Sequence, residues 1–364
     1  MTKSAVGDPR RSRRGRSGLA TLALVTLSYG GQGFSPADGV SPADGSLAIY
    51  FIDVEGGAAT LLVSPAGESI LIDSGFPGER DAARIARTAR GEARLERIDH
   101  YVTTHWHRDH VGGIPDLARL IPVGRYYGHT IPDPLPKDIQ QEHVDAWRQL
   151  AGEPAWLAPG DRLPLKVTGS GPQLAMLVVA ANGAAAGEAA GSPQVRACER
   201  GHEPREADLT DNARSLAFRI TYGDFDLFAG GDLTWNVEHK LVCPTPAFQV
   251  PVDVYLANHH GADSSNNPVL VRALEPTVAI VNSGPRKGAE PRTIRLLLDH
   301  LGPGRVFQLH RNVREGAVNA EPAFVANDDE HCDAAFVRLD VAPDAKRFSV
   351  AIPAKHASWS FDVR

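Results

Sequence analysis

The amino-acid sequence predicts an α/β protein in which two mixed β-sheets are sandwiched by helices. Two observations lead to this prediction. Short apolar runs typical of strands alternate with helix-like segments along most of the chain. The same order also occurs twice, because a hairpin that ends at Asp73 is matched by a second hairpin that ends at Asp232. The composition fits such a fold, since 42% of the 364 residues are hydrophobic and 23% are charged.

The first copy of this pattern begins at Ser46. Its opening strands are short, rich in Ile, Leu, Val and Phe, and separated by turn sequences at 55–57 and 65–67. Strands and helices alternate after them. The elements predicted in this half are strands at 47–54, 60–64, 69–73, 97–104 and 124–127 and helices at 80–89 and 114–120.

The second copy begins near Ser215. Its predicted elements are strands at 215–221, 225–229, 252–257, 278–281 and 306–309 and helices at 268–274 and 293–301. Residues 181–209 have no clear period and are predicted to form a long surface insertion. The last strands, at 334–341 and 347–352, are predicted to form a C-terminal β-hairpin at the edge of a sheet. We therefore expect one domain over residues 46–364.

Residues 1–45 differ from the rest of the chain. Residues 1–16 contain six basic residues and one acidic residue, and a short apolar segment follows at 19–27. A stretch in which the sequence SPADG is written twice comes next. This order is typical of a signal peptide followed by a flexible linker. We expect export to the periplasm or the extracellular space, with the mature chain beginning between Gly30 and Gly45. The alternative interpretation is that these residues are a disordered basic tail, in which case the protein would be cytoplasmic.

The net charge and the cysteine content narrow the function classes. The chain carries a formal charge of −6, and because its first 16 residues are basic, the remainder carries −11. A field of this sign repels nucleic-acid phosphates, so we expect no stable nucleic-acid complex, whereas a small anionic substrate is compatible with a metal site. No apolar run reaches the roughly 18 residues that a membrane span needs. The three cysteines allow one disulfide at most.

The segment 104–110, with the sequence THWHRDH, has the pattern of a metal site. Along a strand, His105, His107 and Asp109 point to one side. A turn at Asp109 brings His110 into the same pocket. One strand end can then bind two ions, with His105 and His107 as ligands of the first ion and Asp109 and His110 as ligands of the second. Imidazole and carboxylate ligands suit Zn²⁺ and other first-row divalent ions.

This segment resembles the HxHxDH motif of the metallo-β-lactamase superfamily. Four further segments, FIDVEGG at 51–57, LIDSG at 71–75, GGD at 230–232 and HHG at 259–261, are most similar to the metallo-hydrolase domain of bacterial competence (DNA-uptake) proteins and its free-standing relatives. The resemblance covers residues 47–309 and implies a four-layer αββα sandwich, the metallo-β-lactamase fold. It also implies two divalent metal ions as cofactors, zinc in the first place, with manganese or iron as alternatives.

The resemblance assigns roles to residues outside the motif. Asp232 matches the carboxylate that bridges the two metals, and His260 matches the histidine of the second metal. His259 would contact the substrate or support a ligand. Asp53 and Asp73 would orient ligand histidines through hydrogen bonds.

The further ligand of the first metal is left open by the sequence. His129 belongs to a Gly-His-Thr sequence, but it lies before the second half of the fold begins, which argues against it. Competence-type relatives carry an Asn-x-x-Ser sequence, which matches Asn212 and Ser215. Asn212 is therefore favoured, directly or through water, over His202 in the predicted insertion.

Together these residues predict a binuclear metal-dependent hydrolase that cleaves phosphodiester or other ester bonds through a metal-bridging hydroxide. Asp109 and Asp232 are the predicted catalytic residues, the first orienting the nucleophile and the second bridging the metals. Lys287 follows a strand end and would hold an anionic substrate group together with Arg286. Two alternatives remain: an iron-dependent oxidoreductase of the same fold, and a non-catalytic secreted metal-binding module.

Overall fold

The computed structural model describes residues 45–167, 169, 171–187, 198 and 202–364. The signal-like segment and linker predicted for residues 1–45 lie outside this set, apart from Gly45, and so does part of the insertion predicted for residues 181–209. Within the described part of the chain, no helix is long and apolar enough to cross a lipid bilayer.

The described residues form the β-strands and α-helices given in the next two sentences. The strands are β1 (Leu47–Phe51), β2 (Thr60–Val63), β3 (Ser69–Ile72), β4 (Ile98–Val102), β5 (Val123–Gly128), β6 (Ala155–Trp156), β7 (Leu174–Ala181), β8 (Ala184–Ala185), β9 (Ala217–Tyr222), β10 (Phe225–Ala229), β11 (Val254–Leu256), β12 (Val278–Val281), β13 (Val306–His310), β14 (Val325–Asn327), β15 (Val337–Val341), β16 (Arg347–Ile352) and β17 (Ala357–Asp362). The α-helices are α1 (Glu79–Arg87), α2 (Arg108–Val111), α3 (Ile114–Leu120), α4 (Gln141–Ala151), α5 (Trp235–Val242), α6 (Pro268–Leu274) and α7 (Pro291–Leu301).

These strands form two mixed sheets. The first has the order β17-β16-β15-β1-β2-β3-β4-β5-β6 and the second the order β14-β13-β12-β11-β10-β9-β7-β8. In the first sheet, β1, β2 and β3 are antiparallel neighbours, whereas β3 to β6 run parallel. The second sheet repeats this scheme, with an antiparallel pair β9–β10 followed by parallel strands from β10 to β14. The duplication predicted from the sequence is therefore present.

Three clusters of buried apolar side chains separate four layers. The central cluster, between the sheets, contains Ile49 and Phe51 of β1 together with Phe218 of β9. Tyr50 of β1 belongs to a second cluster with residues of α1 and α3, and Phe228 of β10 belongs to a third with residues of α6 and α7. Neighbouring residues of β1 enter different clusters because side chains alternate between the two faces of a strand. The αββα sandwich predicted from the sequence is confirmed.

Some elements were not predicted from the sequence. Strand β7 reads LAMLVVAA, and without polar residues at alternate positions its pattern does not distinguish a strand from a buried helix. Helices α4 and α5 were also not predicted. The C-terminal hairpin is present as β15 and β16, but its placement at an edge is wrong, because β15 pairs with β1 and the additional strand β17 covers β16.

Candidate metal centre

The loops that follow four strands meet at one edge of the sandwich. Asp73 follows β3, and the histidine segment 103–110 follows β4, the parallel neighbour of β3. In the second sheet, Asp232 follows β10, and His259 and His260 follow β11, again a parallel neighbour. Because the carboxyl ends of parallel strands lie at one edge of a sheet, this is the usual position of a site in an α/β fold.

Backbone hydrogen bonds hold the end of the histidine segment in place. The carbonyl oxygen of Asp109 accepts a hydrogen bond from the Ala58 N–H at 3.1 Å. The carbonyl oxygen of His110 accepts one from the Ser74 N–H at 2.7 Å. A Cβ atom at Gly57 would lie 2.6 Å from the Asp109 carbonyl oxygen, so this position needs glycine. The loops after β1 and β3 thus fix the orientation of both side chains.

Four buried side chains converge into one cluster: Asp109, His110, Asp232 and His260 each bring a ligand atom within 4.8 Å of the others. His110 Nε2 lies 3.3 Å and His260 Nε2 lies 3.4 Å from Asp232 Oδ2. His260 Nε2 is also 3.2 Å from Asp109 Oδ2. The two Nε2 atoms are 3.2 Å apart. The residues that the sequence assigns to the second metal therefore lie together.

The hydrogen bonds behind these histidines leave their Nε2 atoms available as ligands. His110 Nδ1 lies 2.8 Å from Asp73 Oδ2, and His260 Nδ1 lies 3.2 Å from the carbonyl oxygen of Asn282. Each Nδ1–H donates to an oxygen, so each Nε2 faces the other Nε2 and the carboxylates. A metal ion that displaces the Nε2 protons can bind there through the nitrogen lone pairs. This arrangement is the usual support of a metal-binding histidine.

The electrostatics of the cluster also favour a bound cation. Burial by itself raises the pKa of Asp232, but the facing imidazoles, His110 first, hold it well below the usual range. Burial likewise opposes ionisation of Asp109, and the pKa of this carboxyl is held well below the usual range by His110, His260 and Lys287. Lys287 Nζ donates a hydrogen bond to Asp109 Oδ2. Two ionised carboxylates thus draw positive charge into a buried space, which fits a divalent metal ion.

The other two motif histidines form a second set of ligand atoms beside Asp232. His105 Nε2 and His107 Nδ1 face each other at 3.0 Å, and His105 Nε2 is 3.9 Å from Asp232 Oδ2. His107 Nε2 lies 2.7 Å from Asp138 Oδ2, which leaves Nδ1 to face the site. Asp232 Oδ2 thus lies within 3.9 Å of nitrogens from both groups of histidines, as expected for a carboxylate that could bridge two ions.

Two glycines allow Asp232 to reach this place. Gly231 has a φ of +55°, and a Cβ there would meet Ser215 and Thr104 at 3.1 Å. A Cβ at Gly230 would lie 2.3 Å from the Asn258 side-chain oxygen. The Asp232 N–H donates to Ser215 Oγ at 3.2 Å. Ser215 therefore positions the aspartate backbone and does not contact the histidines directly.

His259 is the further imidazole beside Asp232. Its Nε2 lies 3.5 Å from Asp232 Oδ2, and its side chain is 20% exposed. Asn212 Nδ2 is 3.4 Å from the same Nε2, while His259 Nδ1 is 3.0 Å from Ser264 Oγ. Asn212, the favoured candidate for the first metal, therefore contacts His259, and His259 is the residue that reaches Asp232.

The other two histidines considered for the first metal are bound elsewhere. His202 Nδ1 hydrogen bonds with Asn267 Nδ2 at 3.0 Å, and its ring stacks on His239 with centroids 3.7 Å apart. His129 Nε2 lies 3.3 Å from Asp211 Oδ2 in a fully buried position. Each ring is thus held by contacts outside the cluster.

Two sequence predictions on this site are wrong. Asp53 does not orient a ligand histidine; its Oδ1 accepts the Glu55 N–H at 2.9 Å. Asp53 follows β1, which is separated from β3 by β2, so at roughly 4.8 Å per strand it lies too far from the histidines that Asp73 reaches. Arg286 does not join Lys287, because it forms an exposed ion pair with Glu330 at 2.6 Å.

Three residues beside the site were not predicted. Asp138 supports His107 and also accepts the Asp211 N–H at 2.9 Å. Asp138 lies in a loop after β5 that carries no motif. Thr104 donates both its N–H (2.8 Å) and its hydroxyl (2.7 Å) to Asp73. Asp211 accepts the N–H of Trp106, inside the motif, at 2.7 Å. Of these three residues, only Thr104 could have been found from the sequence, because it directly precedes the first histidine of the motif.

Comparison with known proteins gives partial matches. Residues 52–181 match the family model of the metallo-beta-lactamase superfamily. The chain is 38% identical over 91 residues to the atrochrysone carboxyl ACP thioesterase dmxR1 of Cryptosporiopsis sp. (strain 8999), covering 24% of this chain and 26% of that protein. It is 42% identical over 77 residues to the lactamase-like protein adaB of Aspergillus niger, covering 20% and 23%. The chain thus spans about a quarter of the length of these curated relatives.

Two solved structures are similar over longer stretches. A metal-dependent hydrolase of the β-lactamase superfamily is 13% identical with a TM-score of 0.43, covering 76% of this chain and 100% of that chain. The diiron β-hydroxylase CmlA of Streptomyces venezuelae is 18% identical with a TM-score of 0.37, covering 65% and 44%. The closer resemblance to competence proteins stays a prediction, since none of the four proteins named is one. Residues 52–181 are thus similar to the metallo-β-lactamase superfamily, and the two facing mixed sheets with a His/Asp cluster at their edge are consistent with this similarity.

Proposed function

We propose that the protein is a binuclear metal-dependent hydrolase of ester-type bonds. The observation that carries this proposal is the position of Asp232, whose Oδ2 lies within 3.9 Å of the Nε2 atoms of His105, His110 and His260. One carboxylate can therefore serve two ions. The donors are imidazole nitrogens and carboxylate oxygens, which suit zinc first and also manganese or iron.

The ions would supply a hydroxide nucleophile at neutral pH and a positive charge for the oxyanion that forms. The chain's own residues then orient and bind. Asp109, buried and ionised, accepts a hydrogen bond from the nucleophile and holds it towards the substrate. His259, at the partly exposed mouth, donates to the substrate oxygen. Lys287, whose side chain is 41% exposed, would be free to turn from Asp109 to an anionic substrate group if the Asp109 carboxylate were bound to a metal.

Two substrate classes have support. The Asn212-x-x-Ser215 and His259-His260-Gly261 sequences resemble competence-type hydrolases and favour a phosphodiester. The relatives named thioesterases favour a thioester. The charge of −11 outside the first 16 residues disfavours long duplex DNA in both cases. We therefore propose a small anionic ester, with the phosphodiester and the thioester as the two candidates.

The decisive experiment measures metal content and hydrolysis together. Purified protein is assayed with bis-p-nitrophenyl phosphate, phosphorylcholine esters, an acyl thioester, nitrocefin and a homoserine lactone, with Zn²⁺ and with Mn²⁺. We expect one ester class to be turned over, chelation to abolish the turnover, and Asp109→Ala to reduce kcat by at least about 100-fold. Asp145→Asn, an exposed change on α4, is the control.

Four results would overturn the proposal or its substrate class. Turnover that survives complete metal removal would exclude the mechanism. Iron absorption with oxygen uptake would favour the oxidoreductase. Metal-loaded protein without any turnover of the panel would favour a metal-binding module, and turnover of nitrocefin alone would overturn the substrate class.

We also propose that the protein acts outside the cytoplasm. Cys198 and Cys243 form a disulfide, and such bonds persist mainly in oxidising compartments. This observation supports export independently of the N-terminal sequence pattern. N-terminal sequencing of the extracytoplasmic fraction tests it, and soluble cytosolic protein that retains Met1 or Thr2 would contradict it.

A further inference from the structure

A second group of metal-ligand side chains lies apart from the cluster described above. Asp53 follows β1, His310 ends β13, and Cys332 lies between β14 and β15. Each contributes one ligand atom, and the three atoms lie within 4.8 Å of one another. None of these residues belongs to the Asp109–His110–Asp232–His260 cluster. The group joins the two sheets, because β1 and β13 belong to different ones.

His310 is prepared as a ligand, because its second nitrogen has no hydrogen-bond partner within the described part of the chain. The residue is completely buried, and Nδ1 lies 3.0 Å from the carbonyl oxygen of Arg311. Donation from Nδ1 to this carbonyl leaves the lone pair on Nε2. Among the described residues, Nε2 is buried without a hydrogen-bond partner. A buried acceptor of this kind destabilises the folded state unless something binds it.

Cys332 and Asp53 supply the other two donors. Cys332 is the cysteine that the disulfide leaves free, and its Sγ donates to Asp53 Oδ2 at 3.2 Å. Burial, followed by the nearby Asp53 charge, raises the pKa of this thiol to about 11. The thiol is thus protonated at neutral pH in the absence of a metal, which argues against a nucleophilic role. It is partly exposed, so a metal ion can enter from its side.

The surrounding charges leave room for a divalent cation. Arg84 approaches Asp53 to 3.5 Å and the Cys332 sulfur to 3.9 Å, but its guanidinium also donates to Glu55 at 2.7 Å. Glu55 also pairs with Arg80, which in turn pairs with Asp81, so these two arginines and two carboxylates are neutral as a group. A thiolate at Cys332 and the carboxylate of Asp53 together carry two negative charges, which balance one divalent ion.

We propose that Asp53, His310 and Cys332 form an additional metal site that binds a thiophilic divalent ion, zinc, with water in the fourth position. The sulfur donor distinguishes this site from the nitrogen and oxygen donors of the first cluster. Binding displaces the thiol proton to solvent and replaces the S–H···O hydrogen bond by bonds from sulfur and oxygen to the ion. Tetrahedral zinc holds its ligand atoms roughly 3.5 Å apart. The three donor atoms lie within 4.8 Å of one another, and the partly exposed Cys332 side chain would move inward to shorten its distances.

Cobalt substitution tests this site without reference to catalysis. A thiolate bound to Co²⁺ gives a charge-transfer absorption in the near ultraviolet, and Cys332 is the free thiol among three cysteines, so the band reports this site alone. We expect the band in wild-type protein, its loss with one equivalent of cobalt in Cys332→Ser, and a retained band in Asp109→Ala. His331→Gln, next to the cysteine in sequence, is the matched control and should keep the band.

Thiol reactivity gives a second test that needs no variant. Zinc should slow alkylation of Cys332 in the wild-type protein at least about tenfold, because the bound thiolate is no longer free to react. The proposal is overturned if cobalt-loaded wild type shows no thiolate band, or if zinc leaves the alkylation rate unchanged. Neither result would affect the hydrolase proposal, which depends on a different set of residues.

Discussion

At the scale of single residues, the hydrogen bond from His107 to Asp138 fixes a ring that would bind the first ion of the proposed centre. Partial burial raises the pKa of Asp138, but hydrogen bonds from the Asp211 N–H and from His107 outweigh it and keep this pKa below its ordinary value. The carboxylate is therefore ionised at neutral pH and fixes the His107 ring with Nδ1 towards the site. Partners of this kind make the ring a better ligand.

We predict that Asp138→Asn weakens binding of the first ion by about 10- to 100-fold, because the amide is a weaker and reorientable acceptor. Competition with a chromophoric chelator measures the affinity. Asp145→Asn, exposed on α4, should leave it unchanged. Equal affinities for Asp138→Asn and wild type would show that Asp138 does not support the ligand.

Lys287 and Arg286 provide a second comparison at this scale. Lys287 donates to Asp109, whereas Arg286 is bound to exposed Glu330. If Lys287 binds an anionic substrate group, Lys287→Met should raise KM for an anionic ester about tenfold, the usual effect of losing a charged hydrogen bond. A neutral ester and the metal content should be unaffected. Arg286→Met should behave like wild type in both assays, and equal losses on neutral and anionic esters would contradict this role.

The sequence predicted those parts of the site that lie in short local motifs. His105, His107, Asp109 and His110 lie within six consecutive residues, so they were predictable as one group, but the predicted strand end is wrong: β4 ends at Val102, and Asp109 and His110 lie in helix α2. Asp138 could not be predicted in this way, because its contact with His107 depends on how the loop after β5 folds back. Asp53 was misassigned for a related reason: its neighbours are set by strand order, which local pattern does not give.

At the scale of elements, helix α5 anchors the segment that carries His259 and His260. Glu238 on α5 is fully buried and accepts hydrogen bonds from Asn258 Nδ2 (2.7 Å), the Asn266 N–H (2.8 Å) and the Asn267 N–H (2.7 Å). One carboxylate thus fixes both ends of residues 258–267. His259 and His260, inside this segment, have φ values of +52° and +55°, a backbone conformation that needs such support.

Burial raises the pKa of Glu238 to about 7 despite these hydrogen bonds. A carboxyl whose pKa is higher in the folded state binds its proton more tightly there, so the free energy of unfolding falls as pH rises from about 4.5 to about 7 and is level above. We predict that Glu238→Gln removes this contribution and lowers stability by about 1–3 kcal/mol, because its amide cannot accept from Asn267.

Urea unfolding between about pH 5 and about pH 8 measures both effects, since the difference between wild type and variant should shrink as pH rises. Glu142→Gln, on α4 with a side chain 78% exposed, is the control. A difference that stays constant with pH would show that Glu238 does not titrate in this range.

The elements themselves were predictable to different degrees. Helices α6 and α7 begin at Pro268 and Pro291, and proline in the first turn is a start signal that the sequence displays. Strand β7 displays none, because LAMLVVAA has apolar residues at every position. Burial of both its faces requires this composition, and the same composition hides the strand from a pattern search.

At the scale of the whole molecule, the disulfide joins two distant parts of the chain. Cys198 and Cys243 are separated by 45 residues, and Cys243 directly follows helix α5. The bond therefore links residue 198 to the helix that anchors the segment carrying His259 and His260. A cross-link that closes a loop of this length stabilises a protein by roughly 2–4 kcal/mol, mainly by restricting the unfolded chain.

We predict that Cys243→Ser lowers the free energy of unfolding by roughly 2–4 kcal/mol and that reduction of the wild type has the same effect. Urea unfolding with and without reductant measures both. In metal-free protein Cys332→Ser should cause a smaller change, because that cysteine closes no loop. Thiol titration of denatured protein provides the check on the premise: one thiol should react before reduction and three after it. Three reactive thiols before reduction would show that the bond does not form, and would at the same time remove the support it gives to an extracytoplasmic location.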